Sequence, residues 1–154
     1  MEGGCACGEV RYRLTDAPII VHCCYCSWCQ RETGSAFAVN AVIERDRLEV
    51  IAGEPVLVST PSASGKGQEI ARCPTCRIAL WSHYAGSGRL SAYVRCGTLS
   101  ERAAVVPDVH IFTATKLPWV ALPEGTPAFG AFYPSREGIW SGAARARWRA
   151  MLEA

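Results

Sequence analysis

The chain has 154 residues, 49 % of them hydrophobic and 19 % charged, the make-up of one ordinary globular domain rather than a disordered segment. A net charge of +2 is too small to argue for nucleic acid, and no window approaches the ~20 apolar residues of a membrane-spanning helix. The opening Met1 to Cys5 has no basic or apolar leader character, so a reducing cytoplasm is expected; there, nine cysteines, an odd number, fit metal binding better than paired disulfides.

Residues 9–14 alternate charged and apolar side chains, the period of a half-buried strand. A turn at Asp16 to Pro18 leads into a short apolar run, Ile19 to His22, which delivers four cysteines: Cys23, Cys24, Cys26 and Cys29. Gln30 to Ser35 is polar and has room for one helical turn at most. Strand patterns follow at Phe37 to Ile43, Arg47 to Ile51 and Pro55 to Ser59, then a Ser- and Gly-rich loop over 61–67. Gln68 to Arg72 is a strand running into Cys73, and Ile78 to Tyr84 with Arg89 to Arg95 forms a hairpin around residues 85–88. Val109 to Thr113 is the last strand. The Pro-rich tract from Pro118 to Pro134 carries Trp119, Phe129, Phe132 and Tyr133, which predicts packing over the sheet. Ser141 is placed to cap a final helix, Gly142 to Leu152, with Arg145, Arg147 and Arg149 along it. The pattern is mainly β: a single domain over 1–154, with a helical extension over 136–154.

The cysteines carry the chemistry. Cys5 and Cys7, read as i and i+2 of an extended segment, share a face, and Cys73 and Cys76 form a Cys-x-x-Cys turn. Together they supply the four thiolates of a closed tetrahedral zinc site, stapling segments 66 residues apart (Cys7 to Cys73). The central cluster offers three ligands and no fourth, the pattern of a catalytic zinc with a position left for substrate. Three thiolates make an electron-rich zinc, better suited to a soft sulfur ligand than to generating hydroxide, so a thiol is the expected fourth ligand. Which three cysteines take part is open on spacing alone: Cys23, Cys26 and Cys29, or Cys24, Cys26 and Cys29. If the strand from Ile19 continues through Cys23, then Cys23 and Cys24 face opposite ways and Cys24 pairs with Cys26. Other readings compete. A redox Cys-x-x-Cys at Cys73 wants a following helix, whereas the residues after Cys76 are strand-like. A ferredoxin-type run from Cys23 would place its fourth ligand at Thr33. A second structural site closed by His22, His83 or His110 remains an alternative. Cys96 is read as a small buried hydrophobe.

Three motif groups taken together, Gly4 to Gly8, Cys24 to Arg31 with Gly34 and Ser35, and Cys73 to Cys76 with Leu80 and Trp81, are joined by Val109 to Ile111 and Trp119. In this order and spacing they resemble the glutathione-dependent formaldehyde-activating enzyme family over about Gly3 to Trp119. The resemblance implies an Mss4-like fold of small packed antiparallel sheets with zinc sites and a short C-terminal helix. It implies two zinc ions: a structural one at Cys5, Cys7, Cys73 and Cys76, and a catalytic one at Cys24, Cys26 and Cys29. It also implies carbon–sulfur lyase activity of the S-(hydroxymethyl)glutathione synthase type, with glutathione and formaldehyde as partners. The chain departs from the family at Tyr25, where His is frequent, at Arg77, where Gly is usual, and at the extra thiol of Cys23. Glutathione has two carboxylates, so cations should line its cleft; Arg31 is the local candidate for binding it, with Lys66 and Arg77 in neighbouring loops. The expectation is therefore a cytoplasmic zinc-dependent lyase acting on a small thiol–aldehyde adduct, with no nucleic-acid or membrane partner. A zinc-stabilised binding module without turnover is the alternative.

Overall fold

The computed structural model describes residues 1–154 throughout. In chain order the elements are β1 (Glu2–Gly4), β2 (Arg11–Leu14), β3 (Ile20–Cys24), α1 (Ser27–Thr33), β4 (Ala38–Glu44), β5 (Leu48–Ala52), β6 (Val56–Thr60), β7 (Gln68–Arg72), β8 (Ala79–Tyr84), β9 (Ser91–Arg95), β10 (Val109–Ile111) and α2 (Gly142–Glu153). They form a three-stranded sheet, β1-β2-β5, and a seven-stranded sheet, β10-β3-β4-β9-β8-β7-β6. The fold is mainly β, as the alternation predicts. Every pairing is antiparallel except one: β10 runs parallel to β3, with Ile111 beside Cys24.

The large sheet is covered on both faces, which explains why its central strand β4 is apolar almost throughout. Ala41 and Ile43 point to one side, where Tyr12, Leu14 and Leu48 of the small sheet meet them. Ala38 and Val42 point to the other, towards α2. On the small sheet the alternation in β2 is complete: Tyr12 and Leu14 are buried while Arg11 and Arg13 are exposed. Tyr12 packs edge-on against Trp81, with ring centroids 5.7 Å apart, and its hydroxyl is 2.6 Å from Thr98 Oγ1. On the opposite face α2 buries Ala144, Trp148 and Met151, spaced i, i+4, i+7 along one helical stripe. Ser141 Oγ accepts a hydrogen bond from the Ala144 N–H at 3.1 Å, the cap expected from sequence. Arg147 clamps the helix to the sheet, donating to both carboxylate oxygens of Glu44 at 2.8 and 2.6 Å.

Four expectations need correction. Helix α1 runs from Ser27 to Thr33, longer than the single turn foreseen after Gln30. Its start lies inside the cysteine cluster, where Cys26 Sγ accepts from the Cys29 N–H, and Gly34 at φ 64° ends it. Cys5 and Cys7 do not lie on an extended strand; the chain turns at Ala6 and Cys7 immediately after β1. Trp119 does not pack over the sheet but is 75 % exposed, whereas Phe129 and Tyr133 of the same tract do pack against the core under α2. The large sheet, finally, is not purely antiparallel. Arg77, where the resemblance led one to expect glycine, sits at φ 63°, a left-handed conformation that costs a side-chain-bearing residue energy. No helix is long and apolar enough to cross a membrane.

Candidate metal centres

The turn after β1 and the turn between β7 and β8 bring Cys5, Cys7, Cys73 and Cys76 together, all four sulfurs within 4.8 Å of one another. Cys7 Sγ lies 3.4 Å from Cys5 Sγ and 3.6 Å from Cys73 Sγ. Those separations are far too long for a disulfide of ~2.05 Å. They are close to the ~3.8 Å edge of a tetrahedron built on Zn–S bonds of ~2.3 Å. The backbone supports thiolate character: the Val10 N–H donates to Cys5 Sγ at 3.2 Å. The Cys76 thiol is drawn down to about 6, chiefly by the backbone N–H of Ile78. Four soft donors at tetrahedral spacing, with no disulfide among them, fit a closed zinc site.

The second group stands where β3 runs out into α1. Beyond Cys24 the chain stays extended, held to β10 by the Tyr25 N–H donating to Ile111 O at 3.0 Å, and Cys26 keeps extended angles as the helix cap. Period-2 alternation therefore persists through the cluster. Cys24 and Cys26 face the α2 side, while Cys23 and Tyr25 face away into a small core with Ala36 and Val120. The first turn of α1 returns Cys29 to the same side. The sulfurs of Cys24, Cys26 and Cys29 lie within 4.8 Å of one another, and Cys23 is not among them. Hydrogen bonds within the group polarise it. Cys24 and then Cys29 stabilise the thiolate of Cys26, pulling it down to about 2, while Cys26 and then Cys29, helped by burial, push Cys24 far up. Such a cluster concentrates negative charge that a divalent cation would share out.

No histidine nitrogen joins this group. His22 Nε2 is 2.8 Å from the Tyr133 hydroxyl, His110 Nδ1 is 2.8 Å from the Tyr25 hydroxyl, and His83 Nδ1 is 2.7 Å from Ser91 O. Burial pushes His22 down to about 4, leaving it neutral. The alternative in which a histidine closes a second structural site thus finds no support in the geometry. Cys96 is buried in the core between the sheets, its sulfur 3.9 Å from the Val94 carbonyl oxygen, as the small buried hydrophobe read from sequence.

The triad opens on a cavity of about 220 Å³. Its walls carry five aromatic side chains, Trp28 from α1, Tyr84 and Tyr93 from the centre of the sheet, and Phe112 and Phe132 from the chain beyond β10; the 61–67 loop and polar side chains of the sheet, Asn40 and Gln68 among them, also line it. The cation that faces it is Arg95, which sequence reading missed. Arg95 is only 7 % exposed, donates to Asn40 Oδ1 at 2.6 Å and Ser82 Oγ at 3.1 Å, and has no carboxylate partner. Its signal was available: Tyr93 and Arg95 are i and i+2 on β9, so a half-buried aromatic and a charge share one face. Arg31 is not among the lining residues. It lies on the exposed side of α1, its guanidinium donating back to Ser27 O at 3.4 Å. Lys66 and Arg77 are absent from the lining too, and Glu32, at the edge, is paired with Arg72.

Comparison with known proteins agrees with this geometry. A curated protein of Halomonas elongata, described as a "putative glutathione-dependent formaldehyde-activating enzyme", is 33 % identical over 85 residues, 53 % of this chain and 54 % of its own length. The chain thus spans about half the length of that relative. A crystal structure of a Rhodobacter sphaeroides protein superposes with a TM-score of 0.51 at 24 % identity, covering 70 % of this chain and 98 % of its own, a likeness of fold. The family model described as "Glutathione-dependent formaldehyde-activating enzyme" matches residues 1–115, which include both cysteine groups, and the chain belongs to that family.

Proposed function

We propose that the protein is a zinc-dependent carbon–sulfur lyase that joins a thiol to a small aldehyde or splits their adduct, with glutathione and formaldehyde as the pair suggested by family membership. The observation that carries this reading is the trio of thiols opening on a cavity without a fourth protein ligand. On this reading the chain holds two zinc ions, a structural one at Cys5, Cys7, Cys73 and Cys76 and a catalytic one at Cys24, Cys26 and Cys29. A zinc ion in the triad would bind the substrate sulfur and keep it as the thiolate, the nucleophilic form.

The remaining roles belong to the chain. Forming the adduct removes the proton from sulfur, makes a sulfur–carbon bond as the carbonyl π bond opens, and places a proton on the resulting oxygen; splitting runs the same steps backwards. The cavity offers a mainly apolar surface against which the carbonyl carbon can be held beside sulfur. Arg95, positioned by Asn40 and Ser82, sets one positive charge beside a cluster that is net negative when loaded, so an additional anionic sulfur is not repelled. The Cys29 thiol is pushed up to about 12, the hydrogen bond from Cys24 and the charge of Arg95 being outweighed by Cys26 and by burial. Nine free thiols accord with a cytoplasmic setting. The test is adduct formation from glutathione and formaldehyde by the zinc-loaded protein, beside metal-stripped and Cys24→Ser controls. Zinc-dependent turnover is expected. Absence of turnover with every thiol–aldehyde pair tried would favour a zinc-stabilised binding module instead.

A further inference from the structure

Resting on the lyase reading, we infer that the cavity beside the triad is built for an adduct whose aldehyde-derived half is an apolar group about the size of a benzene ring, with Arg95 binding its oxygen, and not for a bare hydroxymethyl group.

Size is the first argument. Formaldehyde has two heavy atoms and fills about the space of two waters, roughly 60 Å³. The cavity measures about 220 Å³. An apolar cavity of about 150 Å³ accommodates benzene, so an aryl group fits here with space left for the reacting carbon and oxygen.

The walls are the second argument. Glutathione's two carboxylates, ammonium and amides would lose hydration against walls whose surface is mainly apolar and that offer one cation, a costly exchange. Of the two groups on the substrate sulfur, the one suited to this cavity is therefore the aldehyde's. Tyr84 and Tyr93 meet edge-to-face at 4.8 Å and form one wall. Trp28 and Phe132, 39 % and 49 % exposed, leave apolar surface at the cavity that no protein group covers. Phe112 reaches the site from a backbone held at φ 57°, a costly conformation for an aromatic residue and one found preferentially at functional sites.

The polar groups are the third. Arg95 Nε is buried without a hydrogen-bond partner although both terminal nitrogens of the same guanidinium are satisfied. Gln68 Oε1, on β7, is a second buried atom of the lining without a partner. Buried polar atoms without a protein partner are rare and are met by water, an ion or a ligand's polar atom. The strand register places Arg95 at the triad end: it lies opposite Asn40 on β4, whose Ala38 lies opposite Cys24. An N–H donor there suits the oxygen of the carbonyl or of its adduct.

S-benzylglutathione and S-methylglutathione are stable stand-ins for the benzaldehyde and formaldehyde adducts. Titration calorimetry on the two-zinc protein should show the benzyl compound binding at least about tenfold more tightly. Trp28→Ala and Phe132→Ala, both at half-exposed positions, should cut that ratio to about threefold or less. With glutathione, benzaldehyde should be consumed at a higher kcat/KM than formaldehyde. Equal or weaker binding of the benzyl compound, or no binding of either, would overturn the inference. Turnover of formaldehyde in preference to benzaldehyde would overturn it while leaving the lyase reading intact. A benzyl preference without turnover of either aldehyde would strike the lyase reading and keep the assignment of an apolar ligand.

Discussion

Cys23 and Cys24 are adjacent thiols with nearly the same burial, 2 % and 5 % exposed, and they face opposite sides of the strand. Replacing each by serine is therefore a sharp comparison. At Cys23 the new hydroxyl would lie among Tyr25, Ala36 and Val120, on the face away from the triad. A buried hydroxyl costs about 1–3 kcal/mol where it lacks a partner, and the Tyr25 side chain, which hydrogen-bonds the Cys23 thiol, keeps Cys23→Ser in the lower half of that range. Taking about 1.5 kcal/mol for Cys23→Ser, a chain of this length should lose roughly 3–6 °C in Tm. Its metal content should not change. At Cys24 the substitution removes one of three soft ligands, and a hydroxyl is a poor replacement for thiolate on zinc. Cys24→Ser should fall from two zinc ions per chain to one and lose activity, while the four-thiolate site keeps it folded. Zinc counting by atomic emission with thermal melts on both variants decides the matter. Loss of metal in Cys23→Ser together with retention in Cys24→Ser would refute the alternation argument and the triad with it.

Excess chelator should strip one zinc ion rapidly and leave the other, because the closed four-thiolate site lacks an open coordination position; simultaneous loss of both would contradict the assignment. Arg147→Met should destabilise the protein by about 2 kcal/mol at pH 7, since it leaves a buried carboxylate that only Arg47, at 3.6 Å, still faces. Burial opposes the Glu44 charge, but the hydrogen bonds and charge of Arg147 outweigh it and hold that carboxyl below its ordinary 4.5. The pair's contribution is thus complete above about pH 4.5 and disappears as pH falls through the folded value, so denaturant melts of the two proteins should converge in acid; a gap independent of pH would be the wrong sign of result. Arg77→Gly should raise stability by about 1 kcal/mol with zinc content unchanged, because glycine removes the left-handed strain and the exposed arginine side chain makes no hydrogen bond or ion pair. A destabilised glycine variant would show that the side chain has a role the backbone angle does not explain.

Much of the sheet could be read from the chain because its strands are either half-buried and alternating, like Arg11 to Leu14, or apolar in continuous runs, like Ala41 to Ile43. Both sets of grouped thiols were legible for a related reason: short spacings on a strand, a tight turn or the first turn of a helix settle locally where side chains point. Non-local features were not. Three residues, Val109 to Ile111, carry no signal that they will lie parallel to β3, since parallel pairing needs a partner remote in sequence. Sequence proximity also favoured Arg31 over Arg95 as the site's cation. Arg31 is two residues from Cys29 but on the outer side of α1, whereas Arg95 arrives through pairing of β9 with β4. Trp119 failed for a simpler reason: aromatic composition predicts burial only on average, and a proline-rich segment can leave one ring in water.

The parallel pairing has a consequence for how the protein is made. The last thiol of the four-thiolate site is Cys76, so all its ligands have been synthesised when half the chain is still to come. The triad's cysteines are translated earlier, but the ties that hold their loop come much later. Ile111 accepts from the Tyr25 N–H, and Thr115, 90 residues beyond Tyr25, donates its hydroxyl to the Tyr25 carbonyl and accepts from the Gln30 amide. A growing chain can therefore bring its four-thiolate cluster together while Cys24, Cys26 and Cys29 still sit on an unfinished edge strand. Ribosomal order sets the sequence in which the two thiol clusters are completed: the four-thiolate cluster first, the triad only after β10 has emerged and docked.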